Sequence, residues 1–140
     1  MSIEVKVKKN FEDAILPKYS KEDDAAMDVF AQNMTITGKY IEYGTGLSFE
    51  LPKGYVMLIF PRSSVSNKDL MLKNSVGVLD AGYRGELKLR FQKNGEDVYN
   101  IGDKIGQIMV IERPEMILNL VDKLEDSARG NGGFGSTGIK

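Results

Sequence analysis

The chain has 140 residues, enough for one domain with a real core and too few for two comfortable ones. Its 19 Lys and Arg nearly balance 20 Asp and Glu, so a polyanion would have to be read by a few placed cations, and stable nucleic-acid binding is not expected. With neither Cys nor His, disulfides, thiolate or imidazole zinc sites and His-activated nucleophiles are excluded; carboxylates, hydroxyls, cations and backbone amides remain, and any metal should be a hard one such as Mg²⁺.

The N-terminus, MSIEVKVKKNFED, has no signal-peptide core, and Ile3, Val5 and Val7 alternate with polar residues as in a half-buried strand. The same alternation returns at Leu47, Phe49 and Leu51 and at Leu87, Leu89 and Phe91. The longest apolar run, Tyr55 to Phe60, falls far short of the roughly 20 residues of a membrane helix, so a cytoplasmic protein without membrane association is expected. Pro17, Gly38, Gly44, Gly54, Gly82, Gly95 and Gly102 cut the chain into short segments with almost no helical period. These features predict an all-β fold, a jelly roll or β-sandwich. One short helix is predicted after Pro61, where RSSVSNKD offers hydroxyls able to cap and an N-terminus suited to anions.

The chain closes on RGNGGFGSTG, residues 129–138, which holds five of the fifteen glycines. Glycines let backbone N–H groups approach an anion, Ser136 and Thr137 add hydroxyls, and Arg129 adds a planar cation, a combination suited to phosphate. Phe134 stands among the glycines where a plain linker would have a polar residue, and an aromatic face stacks on a nucleobase for roughly 1–3 kcal/mol. The pattern GxxxxGK[ST] is absent, so this is no P-loop. Ordering a bare tail costs roughly 1–2 kcal/mol per residue, so it should close only over ligand. The expected organisation is a β-rich catalytic body, 1–128, and a flexible Gly-rich arm, 129–140, acting as a lid.

The tail resembles the C-terminal motif of trimeric dUTPases, and four further motifs follow that family's order: AAMDVFA from Ala25, PRSSVS from Pro61, NSVGVLDAGYRGEL from Asn74 and GDKIGQIMV from Gly102. Together they span nearly the whole chain. The resemblance implies a homotrimer with shared active sites that hydrolyses dUTP to dUMP and pyrophosphate with Mg²⁺, limiting uracil in DNA and supplying dUMP for dTMP synthesis. Asp80 matches the carboxylate that directs the attacking water; a carboxylate is a weak base at neutral pH, so orientation should matter more than basicity. Tyr83 matches the aromatic that packs on deoxyribose and excludes a 2′-hydroxyl, and Asn74 a side chain that helps read uracil. Arg62, Ser63 and Gln107 match ligands on the phosphate side, and Ser64 and Gly77 fall in the same substrate-binding motifs. Arg129, Phe134, Gly135, Ser136 and Thr137 match the arm that covers the nucleotide. Asp28 matches an aspartate associated with Mg²⁺ through coordinated water.

The chain departs from the family pattern at Ala26-Met27, where Gly-Tyr is common, at Ser64-Val65 for Gly-Leu, and at Lys104 and Gly106 for Arg and Ala. Ala81-Gly82 resembles the related dCTP deaminases more closely. Those enzymes carry a glutamate ten residues beyond the aspartate to move a proton at the cytosine ring, and here that position is Arg90. Hydrolysis is therefore the expected chemistry, with a deaminase relative or a dUTP-sensing regulatory module as the alternatives.

Overall fold

The computed structural model describes residues 1–138, so residues 139 and 140 of the expected arm lie outside the described residues. Ten short antiparallel strands carry the fold: β1 Lys6–Lys9, β2 Met27–Phe30, β3 Asn33–Ile36, β4 Ile41–Gly44, β5 Leu47–Glu50, β6 Tyr55–Phe60, β7 Leu70–Leu72, β8 Gly77–Leu79, β9 Lys88–Lys93 and β10 Lys104–Glu112. One four-stranded sheet has the order β2-β10-β6-β8, another β3-β4-β9-β7, and β1 pairs with β5 alone. The all-β expectation holds.

Period-two patterning explains the layers, because alternate residues of a strand face opposite sides of its sheet. Val29, Met57, Ile59, Leu79, Ile105 and Ile108 point inward from the first sheet, and Ile41, Tyr43, Leu72, Leu89 and Phe91 from the second. Tyr43, Phe91 and Tyr99 meet edge to face with centroids 5.6–5.8 Å apart. The Tyr43 hydroxyl donates to the Tyr99 carbonyl at 3.0 Å and accepts the Tyr99 N–H at 2.8 Å, which satisfies a buried polar group at the centre of the core.

Two expectations need adjustment. The N-terminal alternation gives a strand only from Lys6, and all four residues of β1 are exposed, whereas its partner β5 buries Leu47 and Phe49; Val5 is the residue that packs on the core. The helix after Pro61 is a five-residue 3₁₀ turn, Ser63–Asn67. No side chain caps it; the Ser66 hydroxyl donates back to the Ser63 carbonyl at 2.8 Å instead, a local bond that competes with capping.

The layers pack tightly against each other at Gly106. Pairing between β10 and β2 slips between Lys104 and Gly106, and a Cβ at Gly106 would stand 2.5 Å from Leu89 Cδ2 and 2.9 Å from the Phe60 carbonyl oxygen. Beyond β10 the described residues run on without a regular element, and Met116, Ile117, Leu118, Leu120 and Leu124 are 79–98% exposed.

Candidate active site

The loop between β7 and β8, the loop after β8 and the outer faces of β4 and β9 line a cavity of about 650 Å³. Asn74, Gly77, Asp80 and Tyr83 all line it. The loop from β7 to β8, which crosses from one sheet to the other, is tightly wound: Ser75 takes a left-handed φ of 65° while its N–H bonds the Leu72 carbonyl at 3.0 Å, and the Val76 N–H bonds the Asn74 carbonyl at 2.7 Å. Strain of this kind is held only where the surroundings impose it. Gly77 lies against β6, where an added Cβ would come within 3.0 Å of Ile59. After β8 the Tyr83 N–H closes a turn on the Asp80 carbonyl at 3.0 Å.

Three carboxylates line this cavity, and their situations differ. Glu42 is engaged by Arg90 Nε at 2.9 Å and Lys88 Nζ at 3.6 Å. The Arg90 guanidinium also lies over the Tyr40 ring at 4.2 Å, and its hydrogen bond to Glu42 raises its pKa further above the ordinary arginine value. Glu86 accepts the Gly46 N–H at 3.0 Å and the Asn33 amide at 3.3 Å. Asp80 is exposed, and its carboxylate has no hydrogen-bond or ion-pair partner among the described residues.

A second group forms on the other side of β6. Asp28 on β2 faces Gln107 on β10 in register, and Gln107 in turn faces Phe60 at the end of β6. Asp28 is 9% exposed and sits between Arg62 Nε at 3.6 Å and Lys104 Nζ at 3.5 Å, while Gln107 Nε2 donates to the Pro61 carbonyl at 3.1 Å. Ser63 and Ser64 follow Arg62 in the 3₁₀ turn. Residues from the first, second and fourth motifs thus converge here, apart from the cavity of the third. Among the described residues no three carboxylates are grouped to hold a metal.

Sheet register fixes the separation of the two groups. Leu79 pairs with Met57, so Asp80 lies beside the beginning of β6, whereas Arg62 follows its far end. Six residues of extended chain separate those levels, roughly 20 Å at about 3.3 Å per residue. Asn74, preceding Gly77 and its partner Ile59, lies toward the Arg62 end.

The tail joins neither group. Residues 129–138 form successive turns, with Ser136 N–H on the Gly133 carbonyl at 3.0 Å and Arg129 Nε on the Gly132 carbonyl at 2.9 Å. Phe134 is fully exposed with φ 53°, Gly135 has φ 78°, and Ser136 and Thr137 are exposed; none of them lines the cavity. Sequence reasoning missed the opposite wall, Tyr40 and Glu42, and the part played by Lys104. Glu42 faces Arg90 across β4 and β9, a pairing legible only once the strand register is known.

Residues 12–138 match the family model described as dUTPase. The deoxyuridine 5'-triphosphate nucleotidohydrolase of Clostridium tetani is 39% identical over 139 residues, covering 96% of each chain. That of Clostridium acetobutylicum is 35% identical over 143 residues, covering 99% of each. Among solved structures, the dUTPase of Staphylococcus bacteriophage 80alpha with dUPNHPP superposes with a TM-score of 0.84 at 25% identity, over 99% of this chain and 100% of that one. A mutant dUTPase from phage phi11 of S. aureus, described as revealing the coordination of a structural Mg(II) ion, shares the fold at 23% identity and a TM-score of 0.73, over 89% of this chain and 100% of that one.

Proposed function

This chain belongs to the dUTPase family, and on that premise we propose that it hydrolyses dUTP to dUMP and pyrophosphate with a water directed by Asp80. One observation carries the assignment: of the three carboxylates lining the cavity, Glu42 and Glu86 are committed to protein partners, and Asp80 alone is open to solvent and unpartnered among the described residues. The water oxygen bonds to the α-phosphorus, its proton passes to Asp80, and the bond to the bridging oxygen breaks to release pyrophosphate. Holding the water in line contributes more than the basicity of the acid. The product would supply dTMP synthesis, and removal of dUTP would limit uracil in DNA.

Asn74 and Gly77 would receive the base and Tyr83 the sugar. Arg62, Ser63, Ser64 and Gln107 would hold phosphates, and Arg129, Phe134, Gly135, Ser136 and Thr137 would close over the nucleotide as a lid, with 1–128 as the body and 129–140 as the arm. The donor set suits a magnesium ion carried in by the triphosphate: both oxygens of Asp28 already face cations, which favours contact through a water over direct ligation. When bound, Mg²⁺ would neutralise charge on the leaving pyrophosphate.

The proposed assembly is a homotrimer whose sites combine chains. A nucleotide with its base near Asn74 and its α-phosphorus near Asp80 extends away from Arg62 of the same chain, so a second copy must bring that cation. The exposed apolar residues between 116 and 124 supply surface that such an assembly would cover. A deaminase reading lacks support, because Arg90 stands where a proton-transfer glutamate would be needed and is held by Glu42. No helix among the described residues is long and apolar enough to cross a membrane, and a cytoplasmic location accords with a nucleotide substrate. Pyrophosphate release with Mg²⁺ and each of dUTP, dCTP, dTTP and UTP tests the reading. Selective turnover of dUTP is expected, and protein that leaves dUTP intact would overturn it.

A further inference from the structure

Glu86 lines the same cavity as Asp80 and Tyr83, yet its carboxylate turns into the bend between β4 and β5. Oε2 accepts the Gly46 N–H at 3.0 Å and the Asn33 side-chain amide at 3.3 Å. Gly44 leaves the room for this arrangement, since a Cβ there would run into the same carboxylate oxygen and the Asn33 amide. Gly46, at φ 73°, adopts the left-handed backbone that presents its N–H. The clasp continues along the chain: the Leu87 N–H bonds the Leu47 carbonyl at 2.8 Å, and the Leu87 carbonyl receives the Thr45 N–H at 3.0 Å and the Thr45 hydroxyl at 2.8 Å.

From this anchor the contacts lead directly to the site. The Glu86 carbonyl accepts the Tyr83 hydroxyl at 3.0 Å, and Gly85 has no side chain to obstruct that hydroxyl. The Tyr83 N–H then closes on the Asp80 carbonyl. We infer that Glu86 is a positioning residue for sugar selection: its carboxylate fixes the carbonyl that holds the Tyr83 hydroxyl, and so sets how closely the Tyr83 ring approaches the sugar. The inference rests on the dUTPase reading and adds a specificity determinant to it. The role is geometric and requires two accepting lone pairs rather than a charge, so a side-chain amide can fill it.

The experiment compares kcat/KM for dUTP and UTP in the wild-type protein, Glu86→Ala, Glu86→Gln, Tyr83→Phe and the double variant Tyr83→Phe/Glu86→Ala, with melting temperature followed in each. Glu86→Ala should lower the preference for dUTP over UTP roughly tenfold, whereas Glu86→Gln should stay within about twofold of wild type. The double variant should be no less selective than the worse single one, because both changes cut the same chain of contacts. A destabilised protein with unchanged selectivity would make Glu86 merely structural and overturn the inference, as would losses that multiply in the double variant. If Glu86→Ala does not fold, Glu86→Asp, too short to reach Gly46, takes its place: a tenfold loss of preference supports the role, and unchanged selectivity overturns it. Wild-type protein that leaves dUTP intact would overturn the activity itself and this role with it.

Discussion

Asp28 and Gln107 are direct antiparallel partners across β2 and β10, and this register sets the acid that holds Arg62 beside the amide that holds the Pro61 carbonyl. Arg62 is thus steadied both at its guanidinium and through the residue before it. Asp28→Asn removes the charge that offsets Arg62 and Lys104. Both cations are about one-third exposed, so the stability loss should be only about 1–2 kcal/mol. KM for dUTP should rise more than kcat falls. Denaturant melts and steady-state kinetics read the two effects, and an unchanged KM would detach Asp28 from Arg62.

Asp80→Asn should lower kcat by ~10²–10⁴, the usual contribution of a positioned acid–base group. Binding of a non-hydrolysable dUTP analogue should change little, because the cavity walls remain. Calorimetry beside a pyrophosphate assay separates these quantities. Wild-type-like turnover would remove Asp80 from its assigned role.

Mixing two inactive variants tests shared sites. Asp80→Asn and Arg62→Ala each spoil every site in a pure assembly, but a mixed assembly can join an intact Asp80 from one chain with an intact Arg62 from another. Random co-assembly after joint refolding should restore about a quarter of wild-type activity if each site draws on two chains of a ring. No recovery, in assemblies shown by mass to be mixed, would mean that each site is built from one chain.

The core tyrosines should be visible at alkaline pH. Burial raises the pKa of both Tyr43 and Tyr99 above the ordinary 10.0. The folded state therefore keeps these protons after the unfolded chain has begun to lose them. Their contribution is complete below about pH 10 and is lost as pH rises from there through the higher folded value. Tyr43→Phe should flatten that alkaline decline and cost about 1–3 kcal/mol at neutral pH, since it strands the Tyr99 N–H. Tyr99→Phe should be neutral or stabilising, because the buried Tyr99 hydroxyl has no partner among the described residues. Melting curves across pH 7–11 compare the three proteins.

Much of this was legible in the chain itself. Alternation at Leu87, Leu89 and Phe91 gave β9 because one buried face imposes a period of two, and the spacing of glycines and prolines gave the short strands. The third motif also held together: Asn74, Gly77, Asp80 and Tyr83 share a cavity because the two loops and the short strand that bear them are local in sequence. Pairings distant in sequence were beyond reach. Glu42 meeting Arg90 depends on how β4 aligns with β9, and the distance from Asp80 to Arg62 depends on β8 running antiparallel to β6. Val7 alternates as a half-buried residue does, yet it stays exposed beside Phe49, the buried partner it faces across β1 and β5.

Gly106 reads as a small departure from the family's fourth motif, where alanine is usual, yet Leu89 on the facing sheet fills the room an extra methyl would need. The two positions are therefore coupled through packing. A chimera that imports a relative's fourth motif, alanine included, would have to displace both the Leu89 side chain and the Phe60 carbonyl, so trimming residue 89 alone would leave the backbone clash in place and the exchange would have to extend to β6 as well.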